Sequence, residues 1–292
     1  MPCLPRGDDP LGDPPEHGGL PAPHTPLAHG GTARSPIPPW GLWTSVDVVA
    51  STGSTNADLL ARAEADRDAV EGQVLVAEEQ TAGRGRLGRS WTSVPGASLT
   101  FSVLLHPDSV PAARRGWLPL LAGVAVADAV RAVASVDAVL KWPNDVLAGD
   151  RKLAGILAEQ SPDGSAVVIG VGLNVATPEA GLPVSPAGLP ATSLLAEGAH
   201  VSRDALLIEI LRDLERWYLA FRADPDPAHC GLLAAYRALC GTLGRPVRVQ
   251  LPVGQVLEGV AEDVDADGRL LVRPTDATAV TRVSAGDIIH LR

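Results

Sequence analysis

Between Ala138 and Ala176 the chain runs through consecutive strand-like segments with no helix-length piece among them: "AVLKWPNDVLA", then "RKLAGILAEQ" after Gly149 and Asp150, then "AVVIGVGLNVA". A glycine-first pair between two such runs signals a tight hairpin. Upstream, "TSVDVVAST" alternates like a strand, "STNADLLARAEA" opens with hydroxyl residues able to cap a helix, and "GQVLVAEEQ" and "GASLTFSVLL" read as two more strands. Strands crowded in this way predict an α+β fold, in which a mixed, largely antiparallel sheet carries helices, and not a doubly wound parallel sheet.

Two helices stand out. Trp117 to Ala134 is almost wholly apolar, which predicts burial on several faces. Ser202 is placed to cap a second, whose Leu206, Leu207, Ile210, Leu211, Leu214, Trp217, Tyr218 and Phe221 recur at helical spacing and define one core-facing stripe. A shorter helix ends near Cys240. From Gly244 the pattern returns to short strands, "RPVRVQL", "QVLEGVAEDV", "RLLVRP" and "AVTRVSAGDIIHL", with Asp267 and Gly268 as a turn, and a small barrel over residues 244–292 is expected. The main domain is then 45–243. Residues 1–44 hold 11 of the 26 prolines and 7 of the 30 glycines with no apolar period, so they read as a disordered tail.

Formal net charge is -10 and the pI is about 5.1, which argues against general attraction to nucleic acid or anionic membrane. Any anion site must be local. The longest apolar run, Leu118 to Val130, contains Asp128 and falls short of the roughly 20 residues a membrane span needs. No basic start followed by an apolar block opens the chain, and three scattered cysteines suit a reducing compartment, so a cytoplasmic protein is expected.

Against that acidic background, Gly83 to Arg89 places three arginines and three glycines within one short stretch between two predicted strands. Gly83, Gly85 and Gly88 match the dinucleotide spacing, but a strand follows where that fingerprint needs a helix. The Gly-Lys-Ser/Thr of a phosphate loop is absent, as are the His-Arg-Asp and Asp-Phe-Gly elements that accompany a kinase glycine loop. What is left is a glycine-hinged loop whose Arg84, Arg86 and Arg89 suit carboxylate and phosphate oxygens, or else a solvated basic turn. Rare residues favour the first. Only two of 24 basic residues are lysines, Lys141 and Lys152, and only three asparagines occur, Asn56, Asn144 and Asn174, all in neighbouring motifs.

Taken in order, "STN", "EEQTAGRGRLGRSW", "KWPNDV", "KLAGIL" and "GVGLNV" resemble the biotin protein ligases, the biotin-[acetyl-CoA-carboxylase] ligase family, from about Ser45 to the C-terminus. The resemblance implies a catalytic domain of the class II synthetase/biotin ligase type followed by an SH3-like barrel. It also implies that biotin and ATP, with Mg2+, give biotinyl-5'-AMP, which then acylates a lysine of a biotin carboxyl carrier protein or domain. The Pro/Gly-rich N-terminus stands where repressor-type members place a helix-turn-helix, so no DNA partner is expected, nor a membrane one; a homodimer is compatible with the family.

Residue roles follow from the same resemblance. Lys152, Arg86 and Arg84 would be catalytic, neutralising two anions that must meet. Ser54, Thr55, Asn56, Gln80, Gly83, Arg84, Arg86, Lys152 and Gly155 would surround biotin. Arg86, Arg89, Trp91, Lys141, Asn144, Asp145 and Asn174 would take ATP, with Asp145 a candidate magnesium ligand or proton acceptor. Gly155 and Gly172 would permit close approach of ligand, and blander roles compete at several positions: helix capping for Ser54 and Thr55, core packing for Trp91, a strand-edge cation balancing Asp145 for Lys141, a bulge for Gly155 and Gly172. Two rival functions remain, a lipoate-protein ligase and a non-catalytic biotin sensor. The related octanoyltransferases need a nucleophilic cysteine, and none lies near these motifs.

Overall fold

In the computed structural model, residues 33–34, 40–65, 70–182, 189–251 and 255–291 are described. An eight-stranded sheet forms the body, built from β1 (Ala33–Arg34), β2 (Ser45–Thr52), β3 (Gln73–Gln80), β4 (Ser98–Leu105), β5 (Ala138–Lys141), β6 (Asp145–Ala148), β7 (Arg151–Gln160) and β8 (Val167–Asn174) in the order β1-β2-β3-β4-β8-β7-β6-β5. Only β2 and β3 pair in parallel, because α1 (Thr55–Ala65) carries the chain back across the sheet between them; every other neighbour is antiparallel. This is the expected mixed, largely antiparallel α+β sheet.

Helices cover both faces, so β4 is buried along its whole length. On one face α1 sets Leu59 against Leu75, Leu104 and Val168. On the other lie α2 (Trp117–Ala134) and α3 (Arg203–Ala223), with α4 (Leu232–Leu239) beside them. Twelve of the 18 residues of α2 are buried, which accounts for its apolar composition as a core helix. Of the stripe on α3, all but Trp217 are buried; that indole is only partly covered. Each fully buried leucine of this kind contributes about 1.5–3 kcal/mol.

Two single strands of the sequence reading divide in two. "AVLKWPNDVLA" breaks at Trp142–Asn144, with a cis Trp142–Pro143 bond, because proline cannot donate to a ladder on both sides; Lys141 then faces Asp145 directly across a hairpin. "AVTRVSAGDIIHL" breaks around Ser284–Gly286, and its second half returns to pair elsewhere.

The C-terminal strands, β9 (Pro246–Gln250), β10 (Val256–Val264), β11 (Leu270–Pro274), β12 (Thr281–Val283) and β13 (Asp287–His290), form the SH3-like unit in the order β12-β11-β10-β9-β13, all antiparallel. Its apolar side joins the main core through Val247, Val249, Leu270 and Ile288. Two indoles pin the β10–β11 turn: Trp117 Nε1 donates to Ala266 O and Trp142 Nε1 to Gly268 O, both at 3.0 Å. Of residues 1–44, the expected tail, most lie outside the described residues; Trp40 to Thr44 belong to the body, with Trp43 only 1% exposed and its Nε1 bonded to Leu211 O.

Candidate active site

One cross-strand row sets the floor of the site. Thr100 pairs with Gly172, Gly172 with Gly155, Gly155 with Asp145, and Asp145 with Lys141, so five strands contribute one residue each to a line on the α1 face of the sheet. The two central glycines leave a trough, and polar groups stand at its ends. The indole of Trp91 lies in this trough; a Cβ at Gly172 would overlap its ring. Trp91 thus forms a wall of the cavity, and its Nε1 is buried with no partner among the described residues.

Lys152 reaches the same face through an irregularity. Along β6, Val146 pairs with Ala154 but Leu147 pairs with Lys152, so Leu153 is an extra residue on β7. This bulge reverses the alternation and turns Lys152 to the side that Gly155 faces. Lys152 Nζ then lies 2.6 Å from Asp145 Oδ1, while Lys141 Nζ lies 3.8 Å from Asp145 Oδ2. Burial holds the Lys141 ammonium below the usual lysine range, with Asp145 opposing that shift.

The arginine loop connects β3 to β4 and is tied down at three separate places. Arg84 Nη2 is 3.1 Å from Glu159 Oε2 on β7, Arg86 Nη1 donates to Asn144 Oδ1 at 3.1 Å in the Trp142–Asn144 turn, and Arg89 pairs with Asp287 on β13. Arg86 is half-buried, and the desolvation lowers its pKa, which Asp145 partly offsets. Gly83 closes the base of the loop, where its carbonyl accepts from Trp91 N at 2.9 Å and a Cβ would collide with Trp91 O.

At the opposite end of the cavity the first turn of α1 meets the end of β3. Ser54 O accepts from Asp58 N at 3.0 Å, and Ser54 Oγ lies 3.4 Å from Ala57 N, a long cap. Gln80 Oε1 accepts from Thr55 N at 2.8 Å, so the helix start and the strand end hold each other. Together these walls enclose about 870 Å³.

Comparison with known proteins gives the family. Residues 48–175 match the biotin/lipoate A/B protein ligase family, and residues 242–291 match the biotin protein ligase C terminal domain. The biotin-[acetyl-CoA-carboxylase] ligase of Mycobacterium tuberculosis is 49% identical over 255 residues, covering 86% of this chain and 90% of that protein. The chain belongs to the biotin protein ligase family. The Paracoccus denitrificans ligase of the same name is 33% identical over 77% of this chain and 93% of its own. Among solved structures, the Aquifex aeolicus biotin protein ligase in complex with biotin and ATP superposes with a TM-score of 0.69 at 25% identity, covering 85% of this chain and 98% of that one.

Of the residues singled out in the sequence, Ser54, Thr55, Asn56, Gln80, Arg84, Arg86, Arg89, Trp91, Lys141, Asn144, Asp145, Lys152, Gly155 and Asn174 all line this biotin-ligase-family cavity; Gly83 sits behind it. Five cationic side chains face it against two carboxylates, Asp145 and Asp287, so its lining carries an excess of positive charge within an acidic chain. Gly172, singled out with Gly155 for close approach of ligand, also lies on the floor; sequence reasoning missed Thr100 and Gly170 there, although the period-2 spacing of β4 and β8 was available. It also missed Gln250 and Asp287, which come from the C-terminal unit and carry no local motif.

Magnesium at Asp145 does not fit the arrangement as it stands, since each carboxylate oxygen already faces an ammonium. Among the described residues no group of three or more His, Cys, Asp or Glu could hold a metal ion.

Proposed function

We propose that this chain is a biotin-[acetyl-CoA-carboxylase] ligase: it activates biotin with ATP and transfers the acyl group to a lysine of a biotin carboxyl carrier protein or domain. The observation that carries this reading is the convergence of Lys152 and Arg86, from a bulged strand and a closed loop, on one cavity. Biotin's carboxylate oxygen attacks the α-phosphorus of ATP, the bond to the β-phosphate bridging oxygen breaks, and pyrophosphate leaves. Biotinyl-5'-AMP remains. A neutral lysine amine of the carrier then attacks the acyl carbon, AMP departs with the bonding electrons, and the amine loses its proton.

In the first step two anions approach, so fixed positive charge contributes most. Lys152 holds the carboxylate, Arg86 spans the carboxylate and the α-phosphate, and Arg84 closes the biotin side. Lys141, Arg89, Asn144 and Asn174 face the nucleotide, and Trp91 lies between the two substrates. Ser54, Thr55, Asn56 and Gln80 supply hydrogen bonds for the ureido ring, with Gly155 below. Asp145 keeps Lys152 and Lys141 in place before substrate enters, and is then free to accept the proton of the incoming amine. Mg2+ would be held by the triphosphate oxygens and not by Asp145, and would supply charge neutralisation there. Free Cys230 and Cys240 and the use of ATP suit the cytoplasm.

Labelled biotin, ATP, magnesium and a purified carrier domain test this reading. Label on the carrier lysine is the expected result; exchange of pyrophosphate into ATP with lipoate and not biotin would overturn it in favour of the lipoate ligases.

A further inference from the structure

Behind the cavity wall runs a chain of hydrogen bonds that passes through Ser102 and ends on Glu159, two residues outside the lining. Gln80 Oε1 accepts from Thr55 N at 2.8 Å and from Thr55 Oγ1 at 3.0 Å; Thr55 Oγ1 also lies 2.6 Å from Ser102 Oγ; Ser102 Oγ donates to Asn56 Oδ1 at 2.6 Å; Asn56 Nδ2 donates to Leu157 O at 3.1 Å and to Glu159 Oε2 at 2.8 Å. The same Glu159 oxygen holds Arg84 Nη2 at 3.1 Å. Thr55, Asn56 and Ser102 are 2%, 4% and 0% exposed, so none of them can exchange a lost partner for water.

Such a chain has a direction, and Glu159 sets it. A carboxylate only accepts, which forces the Asn56 amide to present its NH2 group to Glu159 and its oxygen to Ser102. Ser102 has one proton and gives it to that oxygen, so it accepts from the Thr55 hydroxyl. The one Thr55 proton is then shared between Ser102 Oγ at 2.6 Å and Gln80 Oε1 at 3.0 Å, which leaves the hydroxyl lone pairs to accept, while Gln80, its oxygen engaged by both the backbone and the hydroxyl of Thr55, is left with amide hydrogens to donate. A ureido ring offers one carbonyl acceptor flanked by N–H donors. The fixed polarity complements it.

We propose that Glu159 and Ser102 are positioning residues that fix the donor and acceptor order of Thr55, Asn56 and Gln80, and that Glu159 at the same time clamps the base of the arginine loop through Arg84. Gly170 belongs to the device, since a Cβ there would overlap Asn56 Oδ1. The first half of the proposal rests on the reading of this end of the cavity as the ureido site; the clamp does not.

Four full-length proteins test it: wild type, E159Q, S102A and the double variant, with thermal melts checking that each folds. Pyrophosphate exchange is measured with biotin and with 2-iminobiotin, whose ring carries a nitrogen where biotin has the carbonyl oxygen. E159Q and S102A should each lower the preference for biotin over 2-iminobiotin, as a ratio of kcat/KM, by about tenfold. Because both act through one chain, the double variant should match the worse single within about twofold. Unchanged preference in both folded single variants, or losses that multiply in the double, would overturn the polarity claim.

Limited trypsin digestion without ligand reads the clamp separately. E159Q should be cut after Arg84 several-fold faster than wild type, and S102A at the wild-type rate; equal rates for E159Q and wild type would overturn it. Should wild type prove inactive with biotin, the ureido reading and the polarity claim fail together, while the digestion still decides the clamp.

Discussion

Lys152 and Asp145 meet Nζ to Oδ1 at 2.6 Å, brought to one face of the sheet by a single extra residue in β7, and Lys141 takes the other side of the same carboxylate. Asp145 therefore has two different dependants. Lys152 is 26% exposed and open to solvent, whereas Lys141 is 8% exposed and pairs with Asp145.

Removing the lysine and removing the carboxylate should consequently separate chemistry from stability. K152A leaves Asp145 paired to Lys141; adenylate formation should fall by at least about 100-fold, with circular dichroism and urea midpoint close to wild type. D145A strands the buried Lys141 ammonium and should cost about 3 kcal/mol of unfolding free energy, read by urea titration. Near-normal pyrophosphate exchange in K152A would remove Lys152 from the catalytic role.

G172A tests the trough. A methyl group at this position overlaps the Trp91 ring, so the indole must leave the floor. The KM for ATP should rise by about tenfold or more, and quenching of Trp91 fluorescence by acrylamide should increase. In a W91A background the added methyl should cost little; an equal penalty with and without the indole would mean that the floor itself is distorted.

Arg89 and Asp287 join residues 198 positions apart, yet the pair is partly exposed and should add less than about 1 kcal/mol to stability. Its effect belongs to loop closure. D287R should raise the KM for ATP several-fold with an unchanged melting temperature, and R89D/D287R should recover closure measured by trypsin resistance of the loop while still lacking the cation at position 89.

His290 gives the C-terminal unit a pH dependence. Burial pushes its imidazole down to about 4 from an ordinary 6.5, Lys141 and Arg245 add repulsion, and Asp150 opposes them; Thr242 Oγ1 lies 3.0 Å from Nε2. The unfolded chain binds the proton more readily, so stability is complete above about pH 6.5 and declines as pH falls toward 4. Melting temperatures between pH 7 and 4.5 should fall less steeply in H290Q, and parallel curves for the two proteins would discount this group.

Much of the site was legible because its chemistry is concentrated in short motifs. Lys141, Asn144 and Asp145 sit within five residues, and the loop arginines within six, so composition alone drew attention to them. The fold class followed from strand spacing. The bulge at Leu153 was not legible, since "RKLAGILAEQ" alternates plausibly in either register and only pairing with β6 reveals the extra residue. Glu159 and Asp287 were equally silent. Each looks like an ordinary surface carboxylate until the fold places it against a loop arginine.

The two indole N–H groups that grip the β10–β11 turn have a practical corollary. Cutting the chain near Leu243 would uncover the apolar sides of Trp117 and Trp142 and strip both nitrogens of their acceptors at one stroke. A fragment ending there would not be a smaller enzyme awaiting its accessory; it would be an unfinished protein, prone to aggregate through the very surface that the missing strands were folded to shield.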